Sequence, residues 1–175
     1  MGNSAEAPYG ITQPGAYYDV VPRVLRNVVS YQFTQPITST VTVATANAIP
    51  QITQGTEIMA FNYNAVSLQS LIEIEINSNI TTVGGGPVFW VALFADYSPD
   101  ALAVFAGGGH IATIPNTVYL KHYFNPVTLV PVRYSFRMAP AAQTIVANYY
   151  SYGGRTQSRV TVKEWSGLSL GNVAP

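Results

Sequence analysis

Two glutamates, Glu73 and Glu75, form the arrangement in this sequence that most suggests chemistry. They alternate with isoleucines, so on an extended strand both carboxylates point to one face, about 7 Å apart. Carboxylates roughly 5–9 Å apart can hydrolyse a glycosidic bond as an acid and a base or nucleophile. The alternative is a strand face that is solvated or buried in an interface. We adopt it, because no catalytic constellation accompanies the pair.

The histidines do not complete a site either. The sequence has only His110 and His122, and it has no cysteine. His110 follows a glycine triplet, whereas His122 shares a strand face with Val118 and Leu120, as core or interface histidines do. A zinc site needs several ligands at suitable spacing, and two distant histidines do not supply them. The sequence therefore predicts no catalytic residue, no metal ligand and no cofactor, and we expect a protein that is not an enzyme.

Two further motifs have structural interpretations. Asp96 and Asp100 flank a turn, where they can hold Ca²⁺ or stabilise the turn through their own side chains. We favour the second role. The glycine triplets Gly84–Gly86 and Gly107–Gly109 lack the lysine and the helix that a phosphate-binding loop requires. They are predicted to be long loops at one end of a sandwich.

Aromatic residues give the strongest positive signal for binding. Tyr149, Tyr150 and Tyr152 crowd one hairpin, close to Arg155. Tyrosine and arginine are enriched at recognition surfaces. The alternative is ordinary strand and turn aromatics. We predict that these four residues contact a receptor or another protein.

The low charge content indicates association. Lysine, arginine, aspartate and glutamate make up 9% of 175 residues, with eight of each sign, against roughly 25% in an average soluble domain. A monomer with so few charges tends to associate, so we expect much of the surface to be buried against copies of the chain or a larger particle. Nucleic-acid binding needs clustered lysine and arginine, which are missing. No apolar run approaches the ~18 residues of a membrane span, so no membrane insertion is expected.

The residues favour strands throughout the chain. Threonine, valine, isoleucine, tyrosine and phenylalanine are abundant and often alternate with polar residues. Glycine, proline and asparagine clusters separate the segments, including a turn predicted at 77–79. Short strands at this spacing predict an all-β sandwich or barrel. The candidate strands are 24–33, 37–43, 57–63, 71–77, 87–95, 101–105, 117–124, 132–138, 144–149 and 159–163.

The first 23 residues differ from the rest. They contain prolines and glycines together with Tyr9, Tyr17 and Tyr18. Disordered tails are poor in aromatics. We therefore predict an extended attachment arm at 1–23 that docks on a partner through these tyrosines, followed by one domain at 24–175.

Several segments resemble the head domains of bacteriophage tail fibres and spikes. These are Ile49–Glu57, Val91–Asp96 followed by Asp100–Ala103, Tyr134–Arg137, and the closing strand Ser158–Glu164. The resemblance covers most of the chain, from about Val24 to Trp165. It implies an antiparallel jelly-roll β-sandwich, similar to tumour-necrosis-factor and complement globular heads, packed as a homotrimer. The family has no shared catalytic residues.

The resemblance implies a structural virion-surface protein that attaches to the host or to another virion protein. A capsid decoration or coat protein is the alternative, because the chain lacks the long stalk that usually precedes a fibre head. A trimeric depolymerase that uses Glu73 or Glu75 is a third, disfavoured reading. The expected partners are other copies of the chain, other virion proteins through the arm, and a host receptor.

Overall fold

A computed structural model describes residues 23–42, 48–83, 88–108, 115–151 and 154–166. Within these ranges every regular element is a β-strand. In chain order the strands are β1 (Leu25–Phe33), β2 (Ile37–Ser39), β3 (Thr56–Tyr63), β4 (Leu71–Val83), β5 (Val88–Ala95), β6 (Ala103–Gly108), β7 (Asn116–Phe124), β8 (Val132–Pro140), β9 (Thr144–Ala147), β10 (Tyr150–Ser151), β11 (Gly154–Arg155) and β12 (Ser158–Trp165).

The strands form two antiparallel sheets and a short ribbon. The first sheet has the order β1-β12-β4-β9-β2, with β7 also paired to β4, and the second has the order β3-β8-β5-β6. Ile80 pairs with both Asn116 of β7 and Ala147 of β9, so β7 and β9 lie on opposite sides of β4. Strand β12 also pairs with β4 on the side away from β7. Thus β9 and β12 lie end to end on one line beside β4. Strands β2 and β1 likewise lie end to end, on the next line of the sheet.

The connections between these lines identify the fold. The chain passes from β1 and β2 in the first sheet to β3 in the second, and back to β4. It crosses again to the hairpin β5-β6, returns to β7, crosses to β8, and ends on the β9 and β12 line. The first sheet has six strands on four lines and the second has four strands, and two antiparallel sheets of this kind joined by these crossovers form a jelly roll. The predicted all-β, antiparallel jelly-roll sandwich is confirmed.

The core lies between the two sheets and follows the predicted alternation. Ile72, Ile74 and Ile76 of β4 are at most 1% exposed and face the second sheet. Phe136 and Met138 of β8 are fully buried and meet them in the same cluster. Stacked aromatic rings add to this layer, because Phe61 stacks on Tyr31 and also on Tyr134. Burying one such side chain contributes about 1.5–3 kcal/mol, so the sheets are held mainly by these faces.

One predicted turn is wrong. The Asn77-Ser78-Asn79 sequence does not end the strand, because β4 runs on to Val83. This segment pairs with β7 on one side, and its backbone also accepts a bond from the Asn148 amide on the other, with Asn79 oxygen to nitrogen at 3.1 Å. Pairing on both sides outweighs the turn preference of asparagine and serine. Ser78 is fully buried and bonds to Ser158.

The glycine-rich prediction is also corrected in part. Gly107 and Gly108 belong to strand β6 and not to a loop. Gly107 pairs with Phe89, and a Cβ at this position would lie only 2.8 Å from the ring of Phe105. A side chain at this position would therefore require the Phe105 ring to shift. Residues 84–86 and 109–110, which include His110, lie outside the described ranges.

Residues 49–55, which we call the cover, lie on the outer face of the second sheet. Ile52 packs on Trp90 and Phe94, which form an apolar cluster separate from the main core. The amide of Ile52 donates to the carbonyl of Pro99 at 2.8 Å, and Ala101 donates to Pro50 at 3.0 Å. Two of the segments that carry the fibre-head resemblance, 49–57 and 100–103, therefore meet at this cover.

The cover depends on Gly55, which gives a first prediction. Gly55 has a φ of +69°, and a Cβ there would lie 2.7 Å from the carbonyl oxygen of Met138 and 2.9 Å from the ring of Trp90. Because both the backbone conformation and the space exclude a side chain, Gly55→Ala is expected to lower the free energy of unfolding by about 1–3 kcal/mol. Urea unfolding measures this change. The exposed neighbour Thr53→Ala is the matched control, and equal effects of the two variants would contradict the assignment.

Candidate functional site

The tyrosine-rich segment predicted as a contact surface is an excursion from the first sheet. Strands β9 and β12 share one line, and the described residues between them, 148–151 and 154–157, include the β10-β11 ribbon, which is not part of the first sheet. We call this segment the excursion. Within the excursion Tyr149 is exposed, and Tyr150 pairs with Arg155 across the β10-β11 ribbon. Tyr152, and the arm residues Tyr9, Tyr17 and Tyr18, lie outside the described residues. Their contact roles remain predictions.

A buried polar network holds the base of this excursion. Asn148 is fully buried and has a φ of 57°, a left-handed conformation that asparagine tolerates. Its side-chain nitrogen donates to the carbonyl of Gln35 at 3.0 Å, and its oxygen accepts from Ser158 at 2.7 Å. Ser158 also bonds to Ser78 at 2.7 Å. Because these groups satisfy one another, the chain can leave the strand line without burying unpaired polar atoms.

Glu73 and Glu75 lie on the outer face of the first sheet and join an ion-pair cluster with two lysines. Lys163 lies 2.9 Å from Glu73 and 2.7 Å from Glu75, and Lys121 lies 3.0 Å and 3.1 Å from them. Register explains the arrangement, because β4 lies between β7 and β12 and pairs with both. The expectation of a wet face is only partly correct, since Glu73 is 4% exposed.

The electrostatics of this cluster keep Glu75 ionised. The pKa of Glu75 falls from 4.5 to about 2, chiefly because Lys163 donates a hydrogen bond to it, with Lys121 and Tyr119 adding to the effect against the opposing influence of burial. A general acid in a glycosidase needs a raised pKa. The shift of Glu75 has the opposite direction, so Glu75 is not suited to be the general acid.

The other candidate groups have structural surroundings. His122 lies on the inner face, stacked on Phe124 with ring centroids 5.7 Å apart, and burial lowers its pKa. Asp100 accepts a bond from the side chain of Gln51 at 2.6 Å, which ties the turn to the cover. Across the described ranges no group of three or more histidines and carboxylates is placed to hold a metal ion. In the same ranges no helix is long and apolar enough to cross a membrane.

One end of the sandwich carries an apolar surface. Here β3 ends and β4 begins, β7 ends and β8 begins, and β1 starts beside the end of β12. Loops 64–70 and 125–131 contain no charged residue. Seven aliphatic side chains of these loops and of the start of β1 are 44–64% exposed, and we call this set the apolar end: Val24, Leu25, Val66, Leu68, Val127, Leu129 and Val130.

A buried carboxylate fixes the loop that carries Val66 and Leu68. Glu164 of β12 is fully buried and accepts a bond from the Tyr63 hydroxyl at 2.7 Å. Its oxygens also accept from the amides of Val66, at 2.9 Å and 3.1 Å, and of Ser67, at 3.3 Å. Burial and this contact with Glu164 raise the pKa of Tyr63, so its hydroxyl stays a donor. Charge-assisted bonds of this kind are among the strong ones.

Alternation along the last strand places the anchor residue on the core side. Val160 and Val162 are fully buried, and Glu164, two positions further on, shares their face. A charged residue on an apolar face indicates a specific buried partner. The partners lie about 100 positions away, in the end of β3 and the loop after it, so spacing alone does not reveal them.

Comparison with known proteins gives distant structural likenesses. No protein-family model matches the chain, and no curated protein matches it. The C-terminal domain of the sugar-binding protein EclA aligns with a TM-score of 0.35 and 14% identity, over 86% of this chain and 88% of that one. A chain of infectious bursal disease virus, strain Gt, aligns at 0.39 and 9%, over 81% and 42%. A chain of the Israeli acute paralysis virus particle aligns at 0.31 and 8%, over 94% and 83%.

These structural likenesses do not support a functional assignment. The chain spans less than half of the bursal disease virus chain that it resembles. All three alignments have TM-scores below 0.4. The fold of this chain is therefore assigned from its own strand order.

The anchor of the apolar end gives a second prediction. Tyr63→Phe removes the hydroxyl that donates to buried Glu164, so it is expected to lower the free energy of unfolding by about 1.5–3 kcal/mol. Tyr134→Phe is the matched control, because Tyr134 is also a buried tyrosine, whose hydroxyl makes no hydrogen bond to the described residues. Urea unfolding of both variants tests the difference. Equal losses would show that the bond to Glu164 is not special.

The ion-pair cluster gives a third prediction. Because the pKa of Glu75 lies below its ordinary value of 4.5, its contribution to stability is present above pH 4.5 and is lost as the pH falls toward 2. Glu75→Gln is expected to be less stable than the wild type at neutral pH and to lose less stability between pH 4.5 and 2. Thermal unfolding across this pH range measures both curves. Parallel curves would contradict the role of Glu75.

Proposed function

We propose that this chain is a structural, non-enzymatic virion-surface protein of a bacteriophage, which works as a homotrimeric jelly-roll subunit of a spike or fibre. The observation that supports this proposal is the apolar end. Exposed aliphatic clusters with polar surroundings mark interaction sites in soluble proteins. Here the cluster is held in place by a buried anchor at Glu164, as expected of a surface that must keep its shape.

A second copy of the chain is the partner that fits this surface best. The loops 64–70 and 125–131 contain only apolar and uncharged polar residues, so covering them removes no ionic group from water. A partner should be equally poor in charge at the contact, because an unpaired buried charge is costly. This chain has 9% charged residues and no net charge, so its own surface meets that condition. Closed symmetric assemblies are the usual outcome of such self-association.

The remaining predicted surfaces have distinct tasks in this proposal. The excursion that carries Tyr149, Tyr150, Tyr152 and Arg155 contacts a host receptor or a partner protein. The arm at 1–23, with Tyr9, Tyr17 and Tyr18, docks on other virion proteins. No nucleic acid is bound in this proposal, because the sequence has no cluster of lysine and arginine and its eight basic residues are balanced by eight acidic ones. Lys121 and Lys163 are, in addition, held in ion pairs.

A capsid decoration or coat protein is the second candidate. The apolar end lies at the rim of the sandwich, where a subunit of a shell also contacts its neighbours. The two candidates differ in the size of the assembly, because a spike head closes as a small ring and a shell contains many copies.

The mass of the protein in solution tests the proposal. The monomer mass is 18.8 kDa, and we expect a stable species at roughly three times that mass, as a closed C₃ assembly requires. Val127→Asp combined with Val130→Asp places charges on the apolar end and should convert the trimer to a folded monomer. Light scattering coupled to size exclusion measures the mass of each form.

The matched control is Val41→Asp, which changes another exposed valine (51%), located after β2 at the other end of the sandwich, and should leave the trimer intact. A wild-type protein that is monomeric at micromolar concentration would remove the proposal. A large closed shell would support a coat or decoration protein in place of a spike or fibre subunit. A trimer that persists in the double aspartate variant would place the interface elsewhere.

A further inference from the structure

A pocket of about 360 Å³ opens on the outer face of the first sheet. It is lined by Leu71 and Glu73 of β4, Trp165 of β12, Tyr123 of β7, and Arg23. Trp165 pairs with Leu71, and Tyr123 pairs with Glu73 on the opposite side of β4. The two aromatic residues therefore start about 12 Å apart, two strand spacings across the sheet and two residues along it.

The walls and the floor of this pocket suit an aromatic side chain. Leu71 forms the floor and is 3% exposed, and Trp165 and Tyr123 stand on either side of it. A position midway between the two walls lies about 6 Å from the start of each, and aromatic rings pair favourably at centroid separations of roughly 4.5–7 Å. Tyr123 is 44% exposed, so its ring is open to contact from another segment of the chain or from another copy.

The pocket lies where the N-terminal segment joins the domain. Arg23 lines it, and residues 1–22 contain Tyr17 and Tyr18 shortly before Arg23. An extended chain spans about 3.3 Å per residue, so Tyr18 can lie at most about 17 Å from Arg23. The C-terminal residues 167–175 also begin beside the pocket, directly after its neighbour in the strand, but they contain no aromatic residue. Of the two terminal segments, only the N-terminal one can supply a ring.

Charge also favours contact between this segment and the rest of the chain. Residues 1–22 contain two acidic side chains, Glu6 and Asp19, and no lysine or arginine. The remaining residues contain all eight basic side chains against the other six acidic ones, which gives a net side-chain charge of +2. Arg23 at the pocket and Arg26 close after it make no ion pair with the described residues. An acidic segment that lies on this surface is therefore electrostatically complementary to it.

The sequence beside the pocket favours a neighbouring copy as the source of the ring. Val20-Val21-Pro22 directly precedes Arg23. Valine and the residue before a proline both prefer extended backbone, so a reversal that returns Tyr18 to the pocket beside its own Arg23 is disfavoured. In the proposed trimer the apolar end, which begins at Val24, is covered by other subunits. The N-terminal segments of the copies then start close to one another's pockets.

We propose that this pocket receives Tyr17 or Tyr18 of a neighbouring copy, so that the N-terminal segments are exchanged around the assembly. The ring lies over Leu71, between Tyr123 and Trp165. The proposal rests on the homotrimer proposed above and deepens it, because it identifies another subunit of the same assembly as the partner of the segment next to the domain. The exchange adds contact area to the trimer without placing a charge in the apolar end.

Photo-crosslinking in the full-length protein tests this exchange. The benzophenone amino acid p-benzoylphenylalanine replaces Tyr17 or Tyr18, one at a time, and irradiation joins it to the group that it contacts. We expect covalent species of roughly two and three times the monomer mass of 18.8 kDa on a denaturing gel. Mass spectrometry should identify cross-linked peptides that contain Tyr123 or Trp165. Tyr123→Ser in the same chain should lower the yield about fivefold, because the contact between aromatic rings is lost.

Tyr119→Ser is the matched control, because Tyr119 lies on the same face of β7, is exposed, and does not line the pocket. It should leave the yield unchanged, and equal yields in the two serine variants would contradict the proposal. Light scattering on the same samples separates two failures. A trimer whose cross-links stay within one chain, or do not reach the pocket, removes only the exchange. A monomer removes the homotrimer together with the exchange.

Discussion

The buried carboxylate of Glu164 is the constraint on which the apolar end of this molecule depends. A carboxylate withdrawn from water costs several kcal/mol unless hydrogen bonds compensate it. The compensation comes from Tyr63, at the end of the second sheet, and from the amides of Val66 and Ser67. One side chain of the first sheet thus joins both sheets to the loop between them. Its inward direction also turns the next residue, Trp165, outward over Leu71.

Ion pairs on the outer faces of the sheets involve many of the few charged residues of the chain. On the first sheet Glu73 and Glu75 pair with Lys121 and Lys163. On the second sheet Glu57 pairs with Arg133 and Arg137, and Arg137 also donates to the carbonyls of Gln54 and Gly55 in the cover. The loops 64–70 and 125–131 at one end of the sandwich contain no charged residue. An uncharged surface loses less hydration free energy when it is covered than a charged one, which is why we place the proposed association at this end.

Alternation in the sequence was sufficient for the strands and the core, because that information is local. Ile72, Ile74 and Ile76 face the core as predicted. The turn at 77–79 was wrong because asparagine and serine preferences are local, whereas pairing of β4 on both sides is not. The burial of Glu73 could not be predicted from the local sequence either, because its partner Lys163 lies 90 positions away. The apolar end required knowledge that loops 64–70 and 125–131 meet, which depends on the topology and not on either loop. The tyrosines of the excursion and the arm still have only sequence arguments.

The apolar end and the outer face of the first sheet meet at the ends of the strands. Strands of a sheet run toward the ends of the sandwich, whereas alternate side chains stand perpendicular to the sheet. The apolar end is built from loops beyond the strand ends, and a pocket of about 360 Å³ on the outer face is lined by Arg23, Leu71 and Trp165 among others. Arg23 precedes Val24 of the apolar end, and Leu71 begins β4 directly after loop 64–70. The pocket therefore adjoins the apolar end, and a subunit that covered this end would lie beside the pocket as well.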